Sequence, residues 1–410
     1  MPKVTNTLAA ILLLSLMTIP AASFADLLRS NSSAFIYEHQ GLIGWGEALR
    51  LEASGPNRVL DLDKSWRQAV ADADVQDLVN QPGSGLVSFG SIAFAAQSKT
   101  SSVLVIPKVV IGKLNESLWI TTINISEDDA LALINFDDSS SSAHFEPGQI
   151  SPEQYKINVD KALSAIDSGV IEKVVLARDL KATVSKVFNI NPALKKLEHK
   201  FNTCYIYSVA GLFGASPELL VKVYRSEVSA RVLAGTAGRG TDPGVDQAIG
   251  TALIESPKNR AEHKFAIDSL VAELEVFCDE VNVDAQPFSM ALPNLWHLAS
   301  DVRAVLNSES SSLQIVSALH PSAAVAGTPR DKALTVIDEI ENVDRGRYAG
   351  PIGWLGADGD GVWAIALRGA QLDNQTLTAF AGCGIVAGSD AQAELEEASL
   401  KFKPIVEALS

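Results

Sequence analysis

Several short stretches combine residues that do chemistry with neighbours that would hold them in place. In Glu172-Lys173-Val174-Val175-Leu176-Ala177-Arg178, strand alternation puts Lys173, Val175 and Ala177 on one face. A lysine facing inward among Val and Ala is desolvated, which lowers its pKa and frees a neutral amine as general base. Taken alone, a strand-start lysine is more often solvated. In Gly214-Ala215-Ser216-Pro217-Glu218 a carboxyl heads the strand Leu219-Leu220-Val221-Lys222-Val223. Buried there it would stay protonated and serve as a general acid; the plainer alternative is a surface glutamate on a turn. Ala234-Gly235-Thr236-Ala237-Gly238-Arg239-Gly240 reads as a Gly-rich loop with amides for an oxyanion, and it lacks the Lys-Ser/Thr of a P-loop.

Carboxylates recur on two helices. Glu262 lies in Arg260-Ala261-Glu262-His263, and Glu394, Glu397 and Lys401 stand at i, i+3 and i+7 on the last helix, hence on one face. Converging carboxylates suit a hard, oxygen-seeking ion such as Mg²⁺, with a substrate oxygen and waters completing the octahedron. A solvated acidic face with an internal Glu–Lys pair is the alternative for either helix alone. The last third is the densest in such residues: His320-Pro321, Gly327-Thr328-Pro329-Arg330, Asp344-Arg345-Gly346-Arg347-Tyr348-Ala349-Gly350-Pro351, Ala366-Leu367-Arg368 and Ala381-Gly382-Cys383-Gly384-Ile385-Val386. Arg368 in an otherwise apolar strand needs an anionic partner, from the protein or a ligand.

The elements that must position these residues follow from capping and periodicity. Up to about Asn135 the chain reads as mostly β, with Ala34–Tyr37, Gly85–Ala95, Ser102–Pro107, Val109–Gly112 and Leu118–Ile123 as strands, the last completing a meander. The breaker Asp137–Ser142 is the best internal linker. After it, Ser151-Pro152-Glu153-Gln154 is a capping box opening a helix that should run to Gly169, a residue suited to the left-handed C′ position. A strand spans Ile171–Leu180. Ser256-Pro257 opens a long helix with Ala261, Phe265, Ile267, Leu270 and Leu274 as its apolar positions, and Ser389–Gln392 opens a third through Phe402. The expected division is 1–145, an N-terminal β-rich part, and 146–410, the catalytic part of one composite fold.

Composition sets the outer limits. The chain has 410 residues, enough for a sizeable core, and 33 basic against 49 acidic residues give a net charge of −16. That balance excludes broad nucleic-acid binding and a polybasic membrane contact. A small anionic substrate would need a metal ion or a local basic cluster. The three cysteines are widely spaced and the six histidines form no HExxH pattern, so neither a disulfide framework nor a structural zinc site is expected. Residues 1–25 read in two ways. An apolar run from Leu8 to Met17 followed by Ser23-Phe24-Ala25 resembles a signal peptide, and Leu14–Ile19 could instead be the core of a first strand.

Taken in order, these motifs resemble the chorismate-utilising enzymes, and within them the isochorismate synthases. The carrying residues are Lys173-Val-Val-Leu-Ala-Arg178, Gly214-Ala-Ser-Pro-Glu218, Ala234-Gly-Thr236 and Arg260-Ala-Glu-His263. They continue with Trp296-His-Leu298, Gly327-Thr-Pro-Arg330, Arg345-Gly-x-Tyr-Ala-Gly-Pro351, Ala366-Leu-Arg368, Gly384-Ile-Val-x-Gly-Ser389 and Glu394-x-x-Glu397-x-x-x-Lys401. Gly41-Leu-Ile-Gly-Trp-Gly-Glu47 and Gly90-Ser-Ile-Ala-Phe94 extend the resemblance into the N-terminal part. The resemblance implies an α+β fold of large, mainly antiparallel sheets flanked by helices. It also implies a first strand near residues 13–19 in place of a signal peptide, and a cytoplasmic, monomeric enzyme.

It further implies a role for each residue. Lys173 activates water, Glu218 protonates the departing C4 hydroxyl of chorismate, and Mg²⁺ sits between Glu262, Glu397 and a substrate carboxylate, with Glu394 a nearby or water-mediated partner. Arg368 and Lys401 hold carboxylate oxygens; Gly235, Thr236, Thr328 and Gly384 offer contacts to the substrate, and His320 lines its pocket. Within the family, Lys173 argues against ammonia-using anthranilate synthases, which usually carry Gln there. Ala234 lacks the nucleophilic lysine of aminodeoxychorismate synthases, and Thr328-Pro-Arg330 differs from the Ile-Pro-Lys common in salicylate synthases. A salicylate synthase and a secreted, non-catalytic binding protein on the same scaffold are the competing readings. Isochorismate feeds either menaquinone or siderophore synthesis, and neighbouring enzymes decide which. Cys383, where the family usually has Ala, is a departure, as are Ala237-Gly238 and Ser322-Ala323 in loops that commonly contain proline.

Overall fold

The computed structural model describes residues 3–8, 24–29, 32–133, 141–291, 295–307 and 310–410. The strand expected near 13–19, most of the signal-like segment and residues 137–140 of the Asp137–Ser142 breaker lie outside them. The chain forms two compact units. The first comprises Met1–Glu218, His320–Ala357 and Ala364–Ser410, and so draws on both sides of the breaker; the second comprises Leu219–Leu319 and Asp358–Trp363. The fold is mixed α+β with large antiparallel sheets, as expected.

The first unit is built on a sheet of 13 strands among the described residues. From one edge the order runs Glu146–Pro147, Lys173–Thr183, Thr376–Val386, Gly369–Asp373, Leu212–Ser216, Tyr205–Val209, Ser33–Tyr37, Gln40–Trp45, Val109–Leu114, Ser117–Ile123, Lys3–Leu8 and Asp74–Gln76, with Gly327–Thr328 paired to the start of Lys173–Thr183. Only the Lys3–Leu8 and Asp74–Gln76 pair in this sheet is parallel. The expected meander of Val109–Leu114 and Ser117–Ile123 is present, whereas Ser102–Ile106 pairs elsewhere, between Leu49–Ala53 and Val87–Ser91.

One strand pair sets up the chemistry. Lys173–Thr183 runs antiparallel to Thr376–Val386 along its whole length, so that Val174 faces Ile385, Val175 faces Gly384 and Leu176 faces Cys383. Side chains of a strand alternate between faces, and antiparallel partners share one. Val174, Leu176, Cys383 and Ile385 are all buried, against the helices Pro152–Asp167 and Ala391–Ala408. Lys173, Val175 and Gly384 therefore occupy the opposite face.

The caps explain where the helices start. Ser151 accepts the Gln154 amide at 3.1 Å and Pro152 presets the first φ. The Gln154 side chain turns to Asn158 instead of closing the box, and Gly169 takes the expected left-handed conformation at φ +74°. The last helix begins one residue later than the sequence suggests. Asp390 is its N-cap, accepting from Gln392 and Ala393, and the helix continues past Phe402 through Pro404 to Ala408.

In the second unit, Leu295–Leu306 pairs with Cys278–Val283, Phe288–Ala291 and Glu227–Gly238, and Glu227–Gly238 pairs with Leu219–Tyr224. The stretch expected as a Gly-rich loop is the end of a strand with a bulge between Ala234 and Thr236, made possible by Gly235 at φ +81°. Ser256 caps the helix Pro257–Leu274 as expected. Its stripe is different: Phe265 is 67% exposed, while His263 is buried. The His263 Nδ1–H donates to the Ala234 carbonyl at 3.1 Å and its Nε2 accepts from Ser300 at 2.9 Å. A histidine with both nitrogens satisfied anchors the helix where an aliphatic stripe was expected. Among the described residues no helix is long and apolar enough to cross a membrane.

Candidate active site

Lys173 opens its strand opposite Val386 on one side and Thr328 on the other. The Glu172 amide donates to the Thr328 carbonyl at 2.8 Å, which fixes the strand start. The lysine is half-buried and lies across Gly384, where an added Cβ would come within 2.9 Å of Lys173 Cε. Gly384 is thus the cradle for the lysine stem, and any side chain there would push the amine away.

Glu218 follows the strand Leu212–Ser216. Ser216 Oγ donates to the Ile365 carbonyl at 2.5 Å and accepts the Glu218 amide at 3.2 Å, and the Ile365 amide donates to the Glu218 carbonyl at 3.0 Å. The backbone of the acid is thereby fixed. Its carboxylate accepts no hydrogen bond among the described residues. Burial pushes Glu218 above the usual carboxylate range, against the opposing pull of Lys173, Arg368 and Lys401. The structure thus gathers Lys173, Glu218, Arg368 and Lys401 into one electrostatic neighbourhood.

Arg368 is placed differently from the sequence expectation. It lies between the strands Gly361–Ile365 and Gly369–Asp373, half-buried, in the left-handed region at φ +53°. A non-glycine residue held there costs of the order of 1–3 kcal/mol. Among the described residues its guanidinium has no ion-pair partner, so a half-buried cation is left for an anionic ligand.

On the last helix Lys401 Nζ lies 2.7 Å from Glu397 Oε1 and donates to the Gly382 carbonyl at 2.8 Å. Ser389, expected as the N-cap, instead donates to Glu394 Oε1 at 2.8 Å. Burial pushes Glu394 up against the Ser389 hydrogen bond; burial also raises Glu397, but Lys401 outweighs it and the net shift is downward. The Cys383 thiol is pushed up to about 12 by burial. Glu397 and the Gly382 carbonyl hold the Lys401 ammonium, and a Glu394 carboxylate oxygen lies within 4.8 Å of one of Glu397; two half-buried carboxylates this close are a donor set that fits a small hard ion.

His320 is buried, and its Nε2–H donates to the Phe94 carbonyl at 2.9 Å. Burial drops its pKa to about 3, helped by the Arg58 and Arg330 charges and opposed by the Phe94 and Ala93 carbonyls. His320 is therefore a neutral imidazole with a fixed tautomer. Gly235, Thr236 and Glu262 belong to the second unit. Gly235 and Thr236 lie at the strand bulge and Glu262 on the helix Pro257–Leu274; the side chains of Thr236 and Glu262 are outside the described ones.

The sequence reading missed a support for the lysine strand. Glu341 ends the helix Arg330–Glu341 and accepts the Ala177 amide at 2.7 Å. Arg345 donates to both Glu341 oxygens, at 2.5 and 2.8 Å, and to the Val175 carbonyl at 2.7 Å, while stacking over Phe94 at 4.6 Å. Both side chains are almost wholly buried, at 2% and 1% exposure. The i, i+4 spacing from Glu341 to Arg345 is the signal that could have found the pair.

Three comparisons bear on this geometry. A family described as "Chorismate binding enzyme" matches residues 14–410. Isochorismate synthase DhbC of Bacillus subtilis (strain 168) is 31% identical over 371 residues, 87% of this chain and 92% of that protein. The salicylate biosynthesis isochorismate synthase of Pseudomonas aeruginosa is 30% identical over 398 residues, 89% of this chain and 82% of that protein. Among solved structures, MenF, the menaquinone-specific isochorismate synthase of Escherichia coli, shares the fold with a TM-score of 0.79, covering 100% of this chain and 95% of that one at 20% identity.

Proposed function

The chain belongs to the chorismate-binding enzymes, matched over residues 14–410, and from that premise we propose that it is an isochorismate synthase. It would convert chorismate to isochorismate reversibly, adding water at C2 of the ring and releasing the C4 hydroxyl. The observation that carries the reading is Glu218, a carboxyl with no hydrogen-bond partner among the described residues that burial pushes above the usual carboxylate range, in one neighbourhood with Lys173, Arg368 and Lys401.

In this reading neutral Lys173 takes a proton from the attacking water and becomes an ammonium. Protonated Glu218 gives its proton to the departing C4 hydroxyl and becomes a carboxylate, which Arg368 and Lys401 then stabilise. One water enters and one leaves, the double bonds shift, and proton exchange with solvent resets the pair. The ending charge states are those the reverse reaction starts from. Arg368 also holds a substrate carboxylate, and Lys401 and the Thr328 segment contribute to the same pocket. His320, neutral and donating to the Phe94 carbonyl, fixes the wall of that pocket.

Glu262 and Glu397 are the proposed holders of Mg²⁺ on the strength of their motifs, with Glu394 a nearby or water-mediated partner. When bound, the ion supplies the positive charge that a dicarboxylate needs on a chain of net charge −16. Gly235, Thr236 and Gly384 keep their proposed substrate contacts. A cytoplasmic location and a monomeric state belong to the same proposal, carried by the family resemblance.

The test is purified protein with chorismate and Mg²⁺, with products resolved by chromatography in the presence and absence of an isochorismatase. Isochorismate at a chorismate-rich equilibrium, without salicylate or an aminated product, is the expected outcome. Salicylate fluorescence without a partner enzyme would favour a salicylate synthase, and no turnover would favour a non-catalytic scaffold. Glu262→Ala should remove Mg²⁺ dependence together with activity; normal Mg²⁺ saturation in that variant would contradict the ligand role.

A further inference from the structure

Arg368 sits in the left-handed region at φ +53°, where a non-glycine residue stays only if its surroundings over-determine it. Its φ and ψ are the rotations between two rigid peptide planes, Leu367–Arg368 and Arg368–Gly369, so whatever fixes those planes aims the guanidinium. The second plane is held by the Ala215 amide, which donates to the Arg368 carbonyl at 3.4 Å. The first is held by a side chain: the Tyr207 hydroxyl donates to the Leu367 carbonyl at 2.9 Å. Ala366, just before this plane, is tied at both backbone groups, donating to the Gly350 carbonyl at 2.8 Å and accepting the Ala349 amide at 2.9 Å.

Tyr207 reaches that carbonyl because two glycines leave it room. In the sheet Tyr207 pairs with Gly214 and Gly214 pairs with Gly369, so the three form one row across adjacent strands. Opposed residues of antiparallel strands present their side chains to the same face, and here only the tyrosine has one. A Cβ on Gly214 would come within 2.6 Å of the Tyr207 hydroxyl oxygen, and one on Gly369 would come closer still. Tyr207 is wholly buried. Burial pushes its phenol far up, helped by Tyr348 and opposed by Arg368, so the hydroxyl keeps its proton to donate.

We infer that Tyr207 is a positioning residue for Arg368: its hydroxyl, seated over Gly214 and Gly369 and bonded to the Leu367 carbonyl, sets the left-handed backbone from which the guanidinium meets a substrate carboxylate. This role rests on the proposed function of Arg368 as the holder of that carboxylate. Without the hydroxyl, the Leu367–Arg368 peptide is free to rotate and Arg368 relaxes toward an ordinary φ, which swings its side chain off line. A methyl group on either glycine would evict the hydroxyl and have the same consequence.

The test is steady-state kinetics with chorismate and Mg²⁺ on the wild type, Tyr207→Phe, Arg368→Gln and the double variant, beside urea unfolding of each. Tyr207→Phe removes one oxygen from a packed ring and should unfold as cooperatively as the wild type. Its kcat/KM should fall about tenfold, the scale of one lost buried hydrogen bond, mainly through a higher KM. In the Arg368→Gln background the same change should have almost no effect, because the group being aimed is gone. A tenfold loss that persists in that background would make Tyr207 a general support of the sheet and overturn the inference. Wild-type kcat/KM in Tyr207→Phe would overturn it as well. Wild-type activity in Arg368→Gln, or a wild type that does not turn over chorismate, would instead remove the reading of Arg368 itself, and the role of Tyr207 with it.

Discussion

Glu341 and Glu218 are both carboxylates of the first unit with cations close by, and they end in opposite conditions. Glu341 has its oxygens taken by Arg345 and by the Ala177 amide, so its charge is permanently committed to holding the lysine strand. Glu218 has a fixed backbone but no hydrogen bond to its carboxylate among the described residues, and burial keeps it toward the protonated form. A satisfied carboxylate is scaffolding. One left without a hydrogen bond beside Arg368, which has no ion-pair partner among the described residues, can exchange a proton, and that difference, not burial alone, separates structure from chemistry here.

The largest effect should come from breaking the chemical side of the comparison. Lys173→Ala and Glu218→Gln are each expected to lower kcat by about 10²–10⁴-fold, the range supplied by a positioned acid or base. Circular dichroism and urea unfolding should stay close to wild type. Activity near the wild-type level in either variant would remove that residue from the reaction.

Breaking the scaffolding side should read out as stability. Glu341→Gln leaves Arg345 as a buried charge without its partner and should cost about 3–5 kcal/mol in urea unfolding. Its pH–rate profile should keep the wild-type shape. A shifted profile with unchanged stability would mean that Glu341, too, exchanges protons during turnover.

His320 offers a smaller, pH-dependent version of the same contrast. Its pKa is about 3 in the fold against 6.5 for an ordinary histidine, so between these values the unfolded chain binds the proton first. The stability it contributes is complete above pH 6.5 and is lost as pH falls, at up to about 1.4 kcal/mol per pH unit. His320→Gln should flatten the dependence of unfolding free energy on pH in that window. An unchanged slope would contradict a neutral, buried imidazole.

What was legible in the sequence was local. The alternation through Lys173, Val175 and Ala177 and the Ser-Pro caps at Ser151 and Ser256 each depend on a few adjacent residues, and the structure has them. The expected aliphatic stripe of the Ser256 helix failed because His263 found two polar partners on distant strands. Arg368 was misplaced by a short distance, since nothing in Ala366-Leu367-Arg368 signals a left-handed residue. The Glu341–Arg345 clasp and the Phe94 carbonyl that fixes His320 join segments far apart in the chain, which periodicity and capping do not report. Within the site, the residue types were legible, and their degree of hydrogen-bond satisfaction was not.

The most direct test of the central claim is turnover of chorismate in H₂¹⁸O with Mg²⁺, stopped early and analysed by mass spectrometry. If Lys173 activates water while Glu218 releases the C4 hydroxyl, isochorismate carries one ¹⁸O at C2. Chorismate regenerated by the reverse reaction then carries it at C4. Unlabelled isochorismate would mean that the hydroxyl migrates within the molecule, and the paired acid–base roles of Lys173 and Glu218 would be wrong.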